Sequence, residues 1–545
     1  MGTISIVLAM MAAVIVSAVI VRMLPLAIPT PLVQIALGAA IAAVSGNAVR
    51  LAPDIFFLLF LPPLLFLDGW RIPKEGLLRD KGVILELALG LVVFTVLGMG
   101  FLIHWMIPAM PLSVSFALAA IVSPTDPIAV SAITARAPIP KRVMHVLEGE
   151  SLLNDASGLV CFRFAVAAAV TGTFSLPTAA ITFVWLALGG AMVGVTVTYV
   201  IMRVKNRVSA RFGEESGSHV LLSLLVPFVA YQVAEHLACS GILAAVSAGI
   251  TMSYLELAGE ALGATRMQRA AVWDTLQFAL NGVMFVLLGE QLPGILSGAV
   301  DAVQESNHEN PWWLVVYVLA INFGLAALRF LWVWASVRFS AFLSRLRGLN
   351  GAPKPTLRLI AAVSVAGARG AITLAGVLTL PFAIAGDAAF PARNLTIFLA
   401  AGVIIMSLMA AGLFLPRLAR NLDMSAEHSE HEESEVARML AAEAAIRAVE
   451  KTQHELAADH NDAGIYAEAA ARVMDHYRRR IDGVSQKGES AARLRRGNEI
   501  ERWLRLAAVR AERDVIFALG RAQRISDESA RRLVREVDLV EERLR

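Results

Sequence analysis

Ser151, Asn154, Asp155 and Gly158 fall at i, i+3, i+4 and i+7, so a helix places all four on one face. That face offers a hydroxyl, an amide, a carboxylate and, at the glycine, room for close approach. Several oxygens around one carboxylate suit a partly dehydrated monovalent cation. They also suit a proton, because burial favours the neutral form of an acid. The run that follows, VCFRFAVAAAV, is apolar except for Arg163. An ionisable residue at mid-bilayer costs about 2.5–3.5 kcal/mol on insertion scales, so a function is the default expectation for it. The alternative is a polar cluster that only packs helices.

Two further stretches would break helices inside the same apolar environment. In IVSPTDPIAVSA, Pro124 and Pro127 bracket Thr125 and Asp126. Each proline removes a backbone donor and disrupts a helix. Broken backbone is tolerated at membrane depth only where it is buried in protein or lines a cavity. A freed carbonyl such as that of Thr125 can then ligate a cation beside Asp126. In VSVAGARGAITLAG, Gly367 and Gly370 flank Arg369. Arg369 either neutralises the C-terminal ends of half-helices or supports a crossover between broken segments. Glu150 requires a cationic partner at this depth. Arg329 is the first choice, with Arg163 and Arg369 as the others. Asp68 ends the stretch LFLPPLLFLD and is expected at an entry funnel or in the site itself. Arg163 reads as a buried arginine of open role. His145 is read as an interfacial histidine, with pH sensing as the alternative.

The elements that must carry these residues follow from composition. Of 545 residues, 57% are hydrophobic and 17% charged, with a mean hydropathy of +0.64; a soluble chain carries about 25% charged residues. A polytopic membrane protein is expected. Windows of about 20 apolar residues occur at 3–22, 27–45, 53–70, 82–106, 112–135, 143–171, 177–203, 217–236, 239–257, 270–291, 311–339, 357–385 and 395–416. The fold class is thus all-α, with thirteen transmembrane helices. Odd-numbered connections carry nineteen Lys and Arg residues and even-numbered ones carry Arg50 and Arg393. Positive residues stay inside, so the N-terminus lies outside and the C-terminus in the cytoplasm. The fifth and twelfth spans correspond if spans 1–6 and 8–13 form an inverted repeat. Discontinuous helices in matching positions of two repeats point to a transporter site.

The first span reads as a retained helix rather than a cleaved signal, since it lacks a basic n-region. Ile6 occupies the position where myristoylation needs Ser or Thr. Cys161 and Cys239 read as small buried hydrophobes. Residues 1–419 form the expected membrane domain. Residues 420–545, rich in Ala, Glu and Arg, form an expected cytoplasmic helical region for regulation or self-association. Ser526 is a candidate helix cap there. His428 and His431 sit in an acidic tract that reads as a solvated face rather than a metal site.

Four motifs together, SPTDPIAV, LEGESLLNDASGLV, LPPLLF and GARGAITLA, resemble the bacterial sodium/proton antiporters of the monovalent cation–proton antiporter family, the NhaP/NHE type. The resemblance covers spans 2–13. It implies a homodimer in the bacterial inner membrane, a mobile core and elevator-type alternating access. It also implies exchange of one monovalent cation, most readily Na+, for one H+. Carried over by motif, Asp155 is the ion- and proton-binding carboxylate, and Asp126, Ser151 and the Thr125 carbonyl complete the site. Asn154 stands where the electrogenic branch has a second Asp, which implies electroneutral exchange. Glu150 and Arg329 match the family's stabilising ion pair. Family members often place Glu directly after LLF; here Leu67 holds that place and Asp68 follows. The expected partners are monovalent cations, protons, the bilayer and a second copy, with no cofactor, no enzymatic reaction and no nucleic acid. The alternatives are a K+/H+ antiporter, or a channel or receptor signalling through the tail.

Overall fold

A computed structural model describes residues 3–24, 28–45, 53–72, 74–126, 130, 141–173, 175–213, 215–257, 263–298, 310–346, 356–382, 389–419, 426–458, 463–485 and 489–544. The chain separates into two compact units, Met1–Asp423 and Met424–Arg545. In the first, the helices in chain order are α1 (Thr3–Met23), α2 (Thr30–Ser45), α3 (Pro53–Arg71), α4 (Lys74–Arg79), α5 (Lys81–Met106), α6 (Leu112–Val122), α7 (Lys141–Thr171) and α8 (Leu176–Phe212). There follow α9 (Ser216–His236), α10 (Gly241–Leu257), α11 (Gly263–Ser297), α12 (Trp312–Leu346), α13 (Leu357–Val365), α14 (Ala371–Leu378) and α15 (Arg393–Ala419).

Helix occupies all or part of every apolar window read from the sequence. Among the described residues, eight helices are long and apolar enough to cross a membrane, and three shorter apolar ones lie at Thr30–Val44, Leu112–Val122 and Gly241–Glu256. Several helices outrun their windows. α8 continues to Phe212 and α12 to Leu346, because their basic last turns extend the helix past the apolar stretch. The short α4 and a π-helical turn at Glu86–Leu91 within α5 have no signature in the hydropathy. At that turn Gly90 leaves the space that the Trp332 ring fills, and Trp332 also meets Phe94 at 5.1 Å between ring centroids.

The helices sort into two bundles. One holds α1, α2, α3 and α8 to α11; the other holds α5, α6, α7 and α12 to α15. Two helix pairs lock the first bundle by the same device. On α2 and α11, Gly38 lies on the Val286 backbone and Gly289 on the Ile35 backbone. On α3 and α10, Gly69 lies on the Val246 backbone and Gly249 on the Phe66 backbone. In lipid, helices associate through close packing at small residues rather than through a hydrophobic drive. The two pairs exchange when spans 1–6 are laid on spans 8–13, as an inverted repeat requires.

In the second unit, α16 (Ala426–Ala458) packs on α17 (Ala463–Ser485), and α18 (Glu489–Arg521) on α19 (Asp527–Leu544). Val509 and Ile516 meet Val537, and Arg513 bonds Asp538 at 3.0 Å and also Glu541. Ser526 Oγ accepts the Ser529 N–H at 3.1 Å and so caps α19. The side chains of His428 and His431 lie outside the described residues.

Candidate cation site

The broken segments build the centre of the second bundle. α6 ends at Val122, and residues 123–126 leave the helix. Residues 127–129 and 131–135, the rest of that expected span apart from residue 130, lie outside the described residues. α13 ends at Val365, and residues 367–370 run non-helical before α14. The two breaks cross: the Asp126 N–H donates to the Ala368 carbonyl at 2.7 Å. Arg369 then spans the crossing. Its Nε donates to Val122 O at 2.9 Å, at the C-terminal end of α6, and its Nη1 reaches Gly367 O. Its own N–H is taken by Ser407 Oγ of α15 at 3.0 Å. A helix end leaves carbonyls without partners, and a buried guanidinium satisfies them here. Gly370 is required at the crossing, since any Cβ there would overlap the Asp126 carboxylate.

α7 passes this crossing unbroken. Gly158 lets it sit against the Pro124 ring, which a Cβ would overlap. Ser151 Oγ donates to the Thr125 carbonyl at 2.8 Å, and Asn154 Nδ2 donates to Thr125 Oγ1 at 3.1 Å. The Asn154 Oδ1 is buried with no hydrogen-bond partner among the described residues. Behind this face Glu150, 1% exposed, meets Arg329 of α12, 3% exposed. The pairing is bidentate, with Nη1–Oε1 at 2.5 Å and Nη2–Oε2 at 2.6 Å. Arg329 Nε also donates to Val363 O of α13 at 3.0 Å. Of the three arginines considered from sequence, geometry places this one on Glu150.

A cavity of about 40 Å³ opens where these pieces meet, room for a few waters or one partly hydrated small cation. Thr125, Asp126, Ser151 and Asp155 line it from the second bundle, together with Gly370 and Thr373 of the α14 segment. Asp68 of α3 and Asn281, Met284 and Phe285 of α11 line it from the first bundle. Three carboxylates, three hydroxyls, an amide and exposed backbone thus converge on one small space. That donor set is hard and oxygen-rich and suits an alkali cation as substrate.

Several sequence expectations are corrected. Asn154 does not line the cavity; its amide holds the broken strand from behind. Arg163 is not buried. Its side chain is 57% exposed in the protein and approaches Glu235 of α9 at 3.9 Å, because it lies about 80° around α7 from Asp155, off the face that meets the crossing. Asn281 and Thr373 were missed. A lone Asn in QFALNGVMFV was the available signal, without a motif around it. Glu290, a 1% exposed carboxylate of α11, was also passed over in an apolar run.

With this geometry in hand, comparison with known proteins defines the class. The model of the family "sodium/hydrogen exchanger, transmembrane" matches residues 9–421. The chain belongs to the sodium/hydrogen exchanger family of cation/proton antiporters and is a multi-pass membrane protein. It is 40% identical over 530 residues to the uncharacterized Na(+)/H(+) exchanger YjcE of Escherichia coli strain K12, covering 96% of each chain. It is 37% identical over 534 residues to the sodium, potassium, lithium and rubidium/H(+) antiporter of Bacillus pumilus, covering 96% of this chain and 75% of that one. The fold also matches the solved structure of the sodium proton antiporter MjNhaP1 of Methanocaldococcus jannaschii, at pH 8. There the TM-score is 0.56 at 18% identity, over 77% of this chain and 98% of that one.

Proposed function

We propose that the protein exchanges Na+ for H+ at Asp155, one for one and electroneutrally. The observation that carries this reading is the cavity in which Asp155, Asp126, Ser151 and the broken strand at Thr125 converge. Asp155 binds a proton or a cation, never both. Either ligand neutralises the Asp155 carboxylate, and an uncompensated charge on it is excluded from the low-dielectric barrier. Competition at one carboxylate therefore couples the two fluxes. Asp126, Ser151 and the Thr125 carbonyl complete the cation's shell, and Asn154 and the Glu150–Arg329 pair keep the broken strand in place. Arg369 supports the crossing. Asp68 and Asn281 face the site from the other bundle, so a shift of one bundle past the other would change which side the cavity opens to. This supports elevator-type alternating access. Thirteen crossings, an outside N-terminus, a cytoplasmic regulatory tail, a homodimer and an inner-membrane location complete the proposal, supported by the nineteen-to-two bias of basic residues between the two sets of connections.

The second reading widens the substrate to K+, favoured by the name of the Bacillus pumilus relative. Proteoliposomes with an acidic lumen and a pH dye separate the two. External NaCl alkalinises the lumen in the wild type and not in Asp155→Asn. A response to KCl alone keeps the mechanism and changes the substrate. Full exchange by Asp155→Asn would sink the assignment.

A further inference from the structure

A second cavity, of about 340 Å³, lies one helical turn from the Glu150–Arg329 pair toward the basic end of the bundle. At its deep end are Leu87 of α5, Leu147 of α7, Val333 of α12 and Val363 of α13. Leu147 precedes Glu150 by three residues, Val333 follows Arg329 by four, and the Val363 carbonyl accepts from Arg329. Ten of its twelve lining residues are aliphatic; Asp80 and Ser336, both toward the mouth, are the others. A water needs two to four polar partners, which aliphatic walls do not give. A void this size left empty would forfeit the van der Waals contacts of its walls. The cavity therefore calls for an apolar guest.

The mouth says which guest. All four lining helices run from this cavity to ends rich in Lys and Arg, at Lys81, Lys141, Arg142, Arg338 and Arg358. Val83 at the rim is 45% exposed. Lys81 follows Asp80 and Arg338 follows Val337, and both basic side chains are exposed. Asp80 is buried and has an interaction of its own within the protein, so the charges presented outward are basic. An aliphatic slot beneath exposed cations, at a membrane surface, matches a phospholipid in both its parts.

We propose that this cavity takes one acyl chain of an anionic phospholipid from the basic-side leaflet, with the phosphate held by Lys81 and Arg338. The chain braces α7 against α12 and α13, the three helices that carry or anchor the Glu150–Arg329 pair. Binding is independent of the exchange reading; only its effect on transport rests on that reading.

The test reads binding directly. Full-length protein is reconstituted with a phosphatidylglycerol bearing a diazirine in its acyl chain, irradiated, and the labelled peptides are mapped by mass spectrometry. Label is expected on the segments around Leu87, Leu147, Val333 and Val363. Val146→Trp and Val333→Trp, each filling the slot, are expected to remove that label while sparing the outward face of α8 around Tyr199, which is 50% exposed. Lys81→Ala and Arg338→Ala should each lower it about fivefold, and a phosphatidylcholine probe should not respond to them. Label confined to outward faces, or unchanged in both filled variants that elute as the wild type does, overturns the site. Equal labelling by the two probes overturns the selection of an anionic headgroup by Lys81 and Arg338.

Discussion

Replacing Arg329 with Gln removes the partner of a carboxylate that is 1% exposed. Two charge-assisted hydrogen bonds, at 2.5 and 2.6 Å, are lost, and so is the bond to Val363 O at 3.0 Å. Breaking one side of a buried pair costs about 3–5 kcal/mol, because the other charge stays desolvated and alone. That is a factor of roughly a hundred to a few thousand in the folded-to-unfolded ratio. The measurement is equilibrium unfolding in mixed micelles, followed by far-ultraviolet circular dichroism, as a double-mutant cycle. Arg329→Gln should lose several kcal/mol, while Glu150→Gln/Arg329→Gln should regain more than half of that loss. Arg329→Lys, which keeps the charge without the bidentate fork, should fall between. If the double variant is as unstable as the two single losses added, the pair is not coupled and the argument fails.

Gly370→Ala pushes a Cβ into the Asp126 carboxylate, whereas a Cβ at Gly82 meets nothing within 4 Å; exchange should collapse in the first variant and persist in Gly82→Ala, both read by lumenal pH in proteoliposomes. Asn281→Ala removes an amide that lines the site from the opposite bundle, and the ratio of Na+ to K+ half-saturation should change more than the maximal rate; an unaltered ratio removes Asn281 from the site. Net cation export should decline as the pH on the cation-loading side drops, because a protonated Asp155 cannot take the cation, and raising the cation concentration should restore it. Deleting residues 425–545 should leave exchange in place and alter only its regulation; loss of all exchange in correctly inserted protein would make the tail part of the transport unit.

Much of this molecule is decided locally, and local decisions are legible in the sequence. Apolar windows specify helices because a bilayer offers no water to unpaired backbone. Pro124 and the glycines around Arg369 mark breaks because they change the backbone of their own segment. The Ser151–Gly158 spacing puts its residues on one face by helix geometry alone. Partner choice is different. That Glu150 meets Arg329 rather than Arg163, and that Asp68 and Asn281 from distant spans face Asp155, depends on how far each helix rotates and how closely it approaches its neighbours. Those rotations are set by contacts such as Gly38 on Val286 and Gly249 on Phe66, which join residues hundreds of positions apart or nearly so. No window of sequence contains both sides of such a contact. The sequence therefore determined the helices, the breaks and the charge asymmetry of this protein. Only the tertiary structure decided which side chains share the candidate cation site, why Asn154 stands behind it, and that an aliphatic slot lies one turn below its ion pair.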